Sequence, residues 1–567
     1  MKVSDYIVSV LERRGVKCVF EMSGGMIAHL LDSLHQHQTI RTVSMRHEQS
    51  AAFAADAMGR MTGIPGVAMA TSGPGATNLL TGIGSCYFDS SPAIFITGQV
   101  NRSEQKGDRP IRQLGFQETD IVPMAIPITK AAWRVREPEE IPQMLDRAFD
   151  LATEKRPGPV LLDIPMDVQR AELQLASTPG VETAKVASTR IDPDVWKSLL
   201  DNLHRAQRPL ILAGGGIASA RAVELFRELV RKLNVPVVNS LMAVDALPFD
   251  DPLRVGMIGS YGNRWANLAI GRSDFLLVLG SRLDVRQTGS QTEMFKGERT
   301  IFHVDCEGVE INNRIKNCFA IVSDLKEFLS TALGTLKGRD LHARSEWLEE
   351  IESLRSAWPD TSELSKSRGI NPNALMHRLS VVANGAAAYV VDVGQHQMWA
   401  AQSLELGPTQ RFLTSGGMGS MGFALPAAIG ACFAAPAQPI MLIAGDGGFQ
   451  ANIQELQTVV HHRLPIKMMI LNNGCHGMVR QFQESYFEGR YPATLDGYSA
   501  PDFSKLAEAY GIPARTIADE TETGEALSWL WSDPNTPALL QVMIDTYANA
   551  YPKIAFGSPI TEMEPLI

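Results

Sequence analysis

An isolated aspartate, Asp446, lies between glycines in the segment 442–450, LIAGDGGFQ, at the end of the apolar run PIMLIA. Aspartate and glycine are common where a strand ends and the chain turns, so a simple turn is one interpretation. The other is chemical, because glycines let the backbone approach phosphate groups closely and a carboxylate can hold the Mg²⁺ that neutralises them. The segment alone leaves both interpretations open.

A second oxygen-bearing side chain, Asn473, follows the next apolar run in the segment ILNNGCHG. The stretch between, FQANIQELQTVVHHRLP, predicts one helix, so both polar residues follow parallel strands that we expect to be neighbours. Their oxygen atoms could then bind one Mg²⁺, which usually takes few protein ligands besides phosphate oxygens and water. The neighbouring Asn472 is interpreted as a turn residue, since Asn is common after strands and only one of the two asparagines need bind metal.

The elements that must position these residues fall into three blocks, 1–174, 190–335 and 371–550, followed by a tail at 551–567. Each block alternates short apolar runs, several of them ending in Gly, with helical patterns. This alternation is typical of parallel sheets covered by helices on both faces. The fold class is therefore predicted as α/β, with three doubly wound parallel-sheet domains. The small, polar stretch 175–189 is interpreted as a linker.

Composition excludes several classes of partner. The chain has 567 residues, of which 45% are hydrophobic, and a net charge of −10, which argues against a nucleic-acid or anionic-membrane partner. No apolar run approaches the ~18 residues of a membrane span, and Met1 leads into an amphipathic helix rather than a signal peptide. The six cysteines form no CxxC pair and are typical of scattered thiols in a reducing compartment, which favours a cytoplasmic location.

The spacing of GDG and NN is a fairly specific signature, and it resembles that of thiamine-diphosphate enzymes. The chain is similar along nearly its whole length to the catalytic subunits of the acetohydroxyacid synthase (acetolactate synthase) family. The segments that carry the resemblance are RHEQSAAFAADAMGRMTG, ATSGPGATNLLTGI, FQETDIV, RPGPVLLDIP, GMIGSYGNRWANLAIGRSDFLLVLGSRLD, GQHQMWAAQ, SGGMGSMGFALPAAIGA and GMVRQF. It implies domains that bind, in order, the cofactor pyrimidine, FAD and the diphosphate. It also implies that Asp446, Asn473 and the backbone carbonyl of Cys475 bind Mg²⁺.

The resemblance gives Glu48, in the motif HEQ, the catalytic role. Taken alone, a Glu at a helix start is usually a capping or macrodipole residue. In the family this carboxylate hydrogen-bonds N1′ of the aminopyrimidine ring and so promotes loss of the thiazolium C2 proton, a contact that is strong in a dry site. Glu48 and Asp446 come from different subunits in the family, which implies a homodimer or homotetramer with active sites between subunits. A small regulatory subunit is possible but not required.

Further thiamine-diphosphate contacts carry over from the family motifs. Met421 would lie beneath the bent cofactor, although periodicity alone prefers ordinary core packing for it. The carbonyl of Gly419 would receive the amino group, and Gln395 and His396 would reach the diphosphate. The remaining predicted contacts are Gly445, Gly447, Gly448 and Met478.

The second block, 190–335, contains signals for FAD as a further cofactor. The segment AGGGIASA is a weak phosphate-loop signal, and FHVD places an acid at a strand end, as ribose or adenine recognition would use. The resemblance is stronger than either signal and implies FAD in a largely structural role. A family member that had lost FAD would keep the same fold. The residues predicted to bind FAD are Arg156, Gly214, Gly215, Arg282, Asp305 and Asp324.

The residues expected to bind the second substrate, the acceptor, leave two activities open. The resemblance implies that pyruvate is decarboxylated and that its two-carbon acetyl unit passes to a second 2-ketoacid, giving acetolactate. Arg286 lies where the family binds the acceptor carboxylate, and a guanidinium suits that task. The other predicted substrate residues are Gly25, Phe116, Gln117 and Phe482.

Three departures from the family pattern favour a ketone acceptor, such as a nucleotide-activated ketodeoxysugar. Met166 replaces a usual Lys, and Phe482 replaces a Trp linked to acceptor choice. The loop 101–115 is longer than usual and contains four basic residues, which would suit a phosphorylated acceptor unless it is simply a solvated loop. These residues are Arg102, Lys106, Arg109 and Arg112. A pyruvate oxidase or decarboxylase shares the same machinery, whereas intact Glu48 and Asp446 argue against a non-enzymatic assembly subunit.

Overall fold

The computed structural model describes residues 1–174, 191–336, 344–365 and 367–565. Within these ranges the strands form three six-stranded parallel sheets and one short antiparallel pair. The predicted α/β class with three parallel sheets is therefore confirmed. The linker predicted at 175–189 lies outside the described residues.

The first sheet is buried on both faces, because alternate residues of its strands enter two separate apolar clusters. Phe20 and Phe95 enter one cluster, while Val19 and Ile94 enter the other. Its strands are β1 (Cys18–Met22), β2 (Arg41–Ser44), β3 (Gly66–Ala70), β4 (Ala93–Gln99), β5 (Ala131–Arg134) and β6 (Pro159–Pro165), in the order β2-β1-β3-β4-β6-β5. Its helices are α1 (Val3–Arg13), α2 (Ala28–His37), α3 (Glu48–Thr62), α4 (Pro74–Asp89), α5 (Ile121–Ala125), α6 (Ile141–Thr153) and α7 (Met166–Gln169).

The central sheet has a different strand order, with its first strand in the middle, as in dinucleotide-binding folds. Its strands are β7 (Pro209–Ala213), β8 (Val237–Asn239), β9 (Arg254–Met257), β10 (Phe275–Leu279), β11 (Thr300–Asp305) and β12 (Phe319–Val322), in the order β12-β11-β10-β7-β8-β9. Its helices are α8 (Pro193–Arg205), α9 (Gly216–Ser219), α10 (Val223–Leu233), α11 (Arg264–Arg272), α12 (Val285–Thr288), α13 (Thr292–Lys296) and α14 (Leu325–Thr335). A further helix, α15 (Ser345–Ala357), follows this sheet.

The third sheet repeats the strand order of the first, which agrees with the similar rhythm of the two sequence blocks. Its strands are β13 (Ala388–Val391), β14 (Arg411–Leu413), β15 (Ile440–Gly445), β16 (Ile466–Asn472), β17 (Ala514–Ile517) and β18 (Ala538–Met543). Its helices are α16 (Pro372–Val382), α17 (Gln395–Ser403), α18 (Ala424–Ala434), α19 (Asp446–Ala451), α20 (Leu456–His462), α21 (Gly477–Tyr486), α22 (Phe503–Ala509) and α23 (Thr523–Leu530). The tail carries the antiparallel pair β19 (Lys553–Ile554) and β20 (Met563–Glu564).

The first and third domains pack against each other through α3 and α18. Small residues let these helices approach closely, and a Cβ added to Gly430 would lie 2.1 Å from the carbonyl oxygen of Ala54. Beside this contact the rings of Phe53 and Phe423 meet edge to face with centroids 5.5 Å apart. Both helices contribute to one continuous apolar cluster. This packing fixes the first turn of α3, which begins with Glu48, relative to the third sheet.

One local prediction is wrong: the segment after Asp446 is not a single helix. Asn452 leaves helical geometry, at φ −133° and ψ 29°, and separates α19 from a short 3₁₀ turn and α20. Its side chain is held by long-range contacts, since its Nδ2 donates to the Gly422 carbonyl (2.8 Å) and its Oδ1 accepts from the Ser50 hydroxyl (3.1 Å). These tertiary hydrogen bonds override the local helical pattern. None of the described helices has both the length and the apolar character that a membrane crossing requires.

Candidate active site

Asp446 and Asn473 follow adjacent parallel strands, as the sequence predicts. In the pairing of β15 with β16, Gly445 is in register with Leu471, so both polar residues lie just beyond the carboxyl edge of the sheet. Asp446 is 2% exposed, and its Oδ2 accepts a hydrogen bond from the Tyr498 hydroxyl (3.0 Å). Burial raises the pKa of Asp446 to about 6, an effect that the Tyr498 hydrogen bond opposes. A buried carboxylate of this kind is stabilised by a bound cation.

The donor set at this edge fits Mg²⁺. The Asn473 Nδ2 donates to the Gln395 Oε1 (3.1 Å), and its Oδ1 accepts from the backbone N–H of Cys475 (3.3 Å). An aspartate, an amide oxygen and a backbone carbonyl are all oxygen ligands, which Mg²⁺ prefers. The described residues contain no group of three or more His, Cys, Asp or Glu side chains arranged to hold a metal ion. A site with a single carboxylate is therefore the arrangement that this edge offers.

The glycines around Asp446 are required by neighbouring side chains. A Cβ at Gly445 would lie 2.9 Å from the His396 Nδ1, and one at Gly448 would lie 2.6 Å from the Asp392 Oδ1. At Gly447 the obstacle would be the His476 ring, at 2.8 Å. Glycine at these positions avoids such clashes and lets a ligand approach the backbone closely at the first turn of α19.

His396 is a buried ring whose protonated form an anionic ligand would stabilise. It is 5% exposed, and burial lowers its pKa to about 3, which a hydrogen bond with the Asp392 backbone only partly opposes. Its Nε2 is buried and has no hydrogen-bond partner among the described residues. The neutral ring has only one N–H, so Nε2 donates to a diphosphate oxygen only in the imidazolium form, which the negative charge of the diphosphate favours. Gln395, the other predicted diphosphate contact, has its Nε2 hydrogen-bonded to the Gln481 Oε1 (3.1 Å).

Asp392, which the sequence analysis missed, organises the loop that carries Gly419 and Met421. Its Oδ1 accepts from the backbone N–H groups of Val393 (2.8 Å) and Gly422 (3.0 Å), and its Oδ2 from that of Ala424 (2.9 Å). Burial raises its pKa to about 6, and these three donors oppose the shift. The available signal was an acid at the end of the apolar run AAYVVDVGQ, the same pattern that marks Asp446.

The loop after β14 presents Met421 outward. Its side chain is 40% exposed, so the core-packing interpretation is wrong. Gly419 adopts a positive φ of 71°, a conformation that strains other residues, and a Cβ there would meet only the Val393 side chain, at 4.0 Å. An exposed apolar side chain on a rigidly held loop is suited to supporting a ligand rather than the domain interior.

Glu48 begins α3 but does not cap it. The N-cap residue is His47, whose Nδ1 accepts from the backbone N–H of Gln49 (3.1 Å), so the simple capping interpretation of Glu48 is wrong. Glu48 is 7% exposed, and its Oε2 accepts a hydrogen bond from the Asn78 Nδ2 (2.9 Å). Within the described chain no hydrogen bond or ion pair joins it to Asp446.

Residues predicted to bind FAD surround a cavity of about 410 Å³ between the domains. This volume lies in the range typical of cofactor sites. Arg156 enters it from the first domain and pairs with Glu307 (3.0 Å) and Glu310 (2.9 Å). Gly214 lies just behind the lining, where a Cβ would be 2.1 Å from the Gly280 carbonyl oxygen. The cavity lining includes Arg156, Gly215, Arg282, Arg286, Asp305 and Asp324.

The two predicted acids of this cavity have different surroundings. Burial raises the pKa of Asp305, whose Oδ1 accepts from the backbone N–H of Glu307 (2.9 Å). Asp324 caps α14, and its Oδ1 accepts from the backbone N–H groups of Lys326 (2.9 Å) and Glu327 (3.2 Å). Asp324 therefore has a structural role in addition to any contact with a ligand.

The predicted acceptor residues lie on several separate elements. Arg286 lies on α12 beside the cavity, while Phe482 lies on α21 and is 49% exposed. Phe116 is 80% exposed, and Gln117 adopts a positive φ of 65° with its Cβ against Gly73. Gly25 has open space where a Cβ would be, and Met478, a predicted cofactor contact, is half-buried on α21.

The basic loop is partly tied to the first domain. Arg102 donates to Asp167 (2.8 Å) and pairs with Glu137 (2.6 Å), so its charge is already used. Arg109 and Arg112 are exposed. Met166 is half-buried at the start of α7, next to Asp167. These contacts account for one of the four cations without any phosphorylated ligand.

Comparisons with known proteins identify the family of the chain. Models of the thiamine pyrophosphate enzyme N-terminal TPP-binding, central and C-terminal TPP-binding domains match residues 1–124, 196–332 and 392–542. The chain is 36% identical to the acetolactate synthase large subunit of Lactococcus lactis, over 99% of this chain and 95% of that protein. It is 37% identical to the acetolactate synthase isozyme 1 large subunit of Escherichia coli, over 99% and 97%. A probable acetolactate synthase large subunit of Methanocaldococcus jannaschii is also 37% identical, over 99% and 95%. The chain belongs to the acetolactate synthase large-subunit family of thiamine pyrophosphate enzymes.

Proposed function

We propose that the chain is an acetolactate synthase, a transferase that condenses two molecules of pyruvate to 2-acetolactate and CO₂ with uptake of one proton. The observation that carries this proposal is the nearly full-length similarity to acetolactate synthase large subunits, with Glu48, Asp446 and Asn473 intact. Bound thiamine diphosphate supplies the nucleophilic carbon that adds to pyruvate and takes up the electron pair released with CO₂.

The third domain holds the diphosphate end of the cofactor in this proposal. Asp446, Asn473 and the carbonyl of Cys475 would bind Mg²⁺, and His396, in its protonated form, would donate from Nε2 to a phosphate oxygen. The support is the oxygen-only donor set at the edge of β15 and β16 and the lack of another partner for that nitrogen among the described residues. Met421, exposed on the loop that Asp392 orders, supports the ring system from below.

Glu48 acts on the aminopyrimidine end as the acid–base group. Its carboxylate is buried, and its Asn78 contact uses one oxygen and leaves Oε1 available for a ring nitrogen. In the family that the chain resembles, Glu48 and Asp446 come from different subunits. We therefore propose a homodimer, or a homotetramer built from dimers, with active sites between subunits.

FAD is proposed for the interdomain cavity. The support is its volume of about 410 Å³ and its lining by residues of all three domains, among them Arg156, Asp305 and Met398. In this role FAD holds the three domains in fixed positions. A small regulatory subunit is compatible with the name "large subunit" that the relatives carry. A cytoplasmic location is proposed because all six cysteines are free thiols, as in a reducing compartment.

Arg286 binds the acceptor carboxylate in this proposal, and the experiment that tests it compares two variants. Arg286→Ala loses a charge-assisted contact of ~2–3 kcal/mol, so kcat/KM for acetolactate should fall about 30- to 150-fold while CO₂ release from the first pyruvate is largely kept. Arg112→Ala, an exposed arginine of the 101–115 loop, is the matched control and should leave acetolactate formation unchanged. A normal rate in the Arg286 variant, with a large loss of ketone addition in the loop variant, would favour the ketone acceptor instead.

A further inference from the structure

The C-terminal tail crosses from the third domain onto the segment that carries Arg286. We call residues 553–556 the strap. The backbone N–H of Ile554 donates to the Ser260 carbonyl (2.9 Å), and the N–H of Ser260 donates in turn to the Arg286 carbonyl (2.6 Å). Just beyond the strap, the Gln291 Nε2 donates to the Gly557 carbonyl (2.8 Å). The strap is thus hydrogen-bonded to the backbone on one side of the acceptor site.

The other side of the strap holds the last turn of α21. The Lys553 Nζ donates to the Ser485 Oγ (2.8 Å) and lies 5.2 Å from the centre of the Tyr486 ring. The Tyr486 hydroxyl accepts from the backbone N–H of Phe556 (3.1 Å). The rings of Tyr486 and Phe482 are 4.7 Å apart, so Tyr486 supports the predicted acceptor residue.

Burying the charged side chain of Lys553 between the strap and α21 is energetically unfavourable. Its side chain is only 7% exposed, and taking an ammonium group out of water is unfavourable unless its donors are satisfied. Three contacts compensate for this burial: the Ser485 hydroxyl, the Tyr486 ring and the carboxylate of Glu564 at 3.3 Å. An apolar side chain could cover the same surface without this cost. What the lysine adds is direction, because its contacts with Ser485 and Tyr486 fix the end of α21 relative to the strap.

We propose that Lys553 is a positioning residue for acceptor specificity, acting through the strap to set the separation between Phe482 and Arg286. The strap is the connection that reaches both predicted acceptor residues, one through Tyr486 and one through Ser260. The inference rests on the proposed function, since it takes the acceptor to be a 2-ketoacid. Loss of the ammonium group loosens α21 against the strap and so widens the choice of acceptor.

The test is a competition assay on Lys553→Met, which keeps the length of the side chain and removes its charge. Enzyme with pyruvate and 2-ketobutyrate forms acetolactate and 2-aceto-2-hydroxybutyrate, and the ratio of these products does not depend on the fraction of folded enzyme. We expect this ratio to change at least about threefold and the apparent KM for 2-ketobutyrate to rise about tenfold, while CO₂ release in a single turnover is unchanged. Chymotrypsin should also cleave faster after Phe556, because the strap is released.

Lys467→Met is the matched control. Lys467 is a buried lysine of the same domain whose Nζ donates to the carbonyls of Asp533 and Thr536 (both 2.5 Å), away from the strap. It should lower stability without changing the product ratio. Glu564→Gln removes the charge of the carboxylate that pairs with Lys553. The Glu564 side chain is 36% exposed, so this variant provides the test if Lys553→Met does not fold.

An unchanged product ratio in folded Lys553→Met, or in Glu564→Gln where that variant replaces it, overturns the proposal, and so does an equal change in Lys467→Met. If wild-type enzyme makes no acetolactate from pyruvate, the proposed function fails instead. That result is visible before any variant is compared, so the two failures are distinguishable.

Discussion

Asp392 offers a sharp test of how the diphosphate end of the site is organised. Replacing it with Asn keeps the size of the side chain but leaves one acceptor oxygen where the carboxylate has two. In the structure those oxygens receive three backbone N–H groups, two on Oδ1 and that of Ala424 on Oδ2. An amide N–H₂ turned toward Ala424 would face another donor. The loop that carries Gly419 and Met421 therefore loses one of its three attachments.

The expected magnitude follows from that lost hydrogen bond. A hydrogen bond to a charged group contributes ~1.5–3 kcal/mol, so we take ~2 kcal/mol for the Ala424 contact. If this cost falls on the cofactor-bound loop, thiamine diphosphate affinity at saturating Mg²⁺ should drop about 30-fold. Tryptophan fluorescence can follow the titration, because buried Trp399 lies on α17, one turn from Gln395 and His396.

Asp163→Asn is the control for this variant. Asp163 is fully buried in β6, a strand of the first sheet. It accepts hydrogen bonds from Thr97 (2.8 Å), Gln99 (3.1 Å) and Arg134 (3.0 Å). It should lower the melting temperature without changing cofactor affinity. If Asp392→Asn binds thiamine diphosphate as tightly as wild type, or if both variants lose affinity equally, the role assigned to Asp392 is refuted.

Three other outcomes follow from the same geometry. Glu48→Gln should keep Mg²⁺ binding but abolish most hydrogen–deuterium exchange at C2 of the bound cofactor, and a wild-type exchange rate would remove Glu48 from the acid–base role. Asp446→Ala should lose Mg²⁺-dependent cofactor affinity in a fluorescence titration, because the charge of the diphosphate is left without its bridging cation; undiminished affinity would refute the ligand assignment. The third concerns His377, for which burial disfavours the charged form, but hydrogen bonds to Glu405 (2.7 Å) and Asp360 (2.9 Å) outweigh burial and raise its pKa. This contribution to stability is present below about pH 6.5 and is lost as the pH rises through the raised pKa, so the melting temperature of His377→Asn should fall below that of wild type more at about pH 6 than at about pH 9. An equal difference at both pH values would contradict this linkage.

The features predictable from the sequence are those that local patterns encode. Apolar runs ending in Gly specify parallel strands, and polar residues after adjacent runs specify a shared sheet edge, so the positions of Asp446 and Asn473 followed from spacing alone. The order of the strands in the first and third sheets agrees with their similar sequence rhythm.

The features missed by the sequence analysis depend on contacts between distant segments. Tyr498 reaches Asp446 from a loop with no pattern that marks it, and Asn452 breaks a helix because Gly422 and Ser50 hold its side chain. The role of Lys553 depends on where the tail folds back, which no periodicity determines. Such tertiary contacts override local propensity and become visible only in the folded chain.

The most direct test of the central claim is product analysis of the purified protein with pyruvate, thiamine diphosphate, Mg²⁺ and FAD. Acetolactate and released CO₂ would be quantified together with the pyruvate consumed. The account predicts one acetolactate and one CO₂ for every two pyruvates. Release of CO₂ with acetaldehyde or acetate as the main product, or acetyl transfer only when a ketone or ketosugar is supplied, would contradict it.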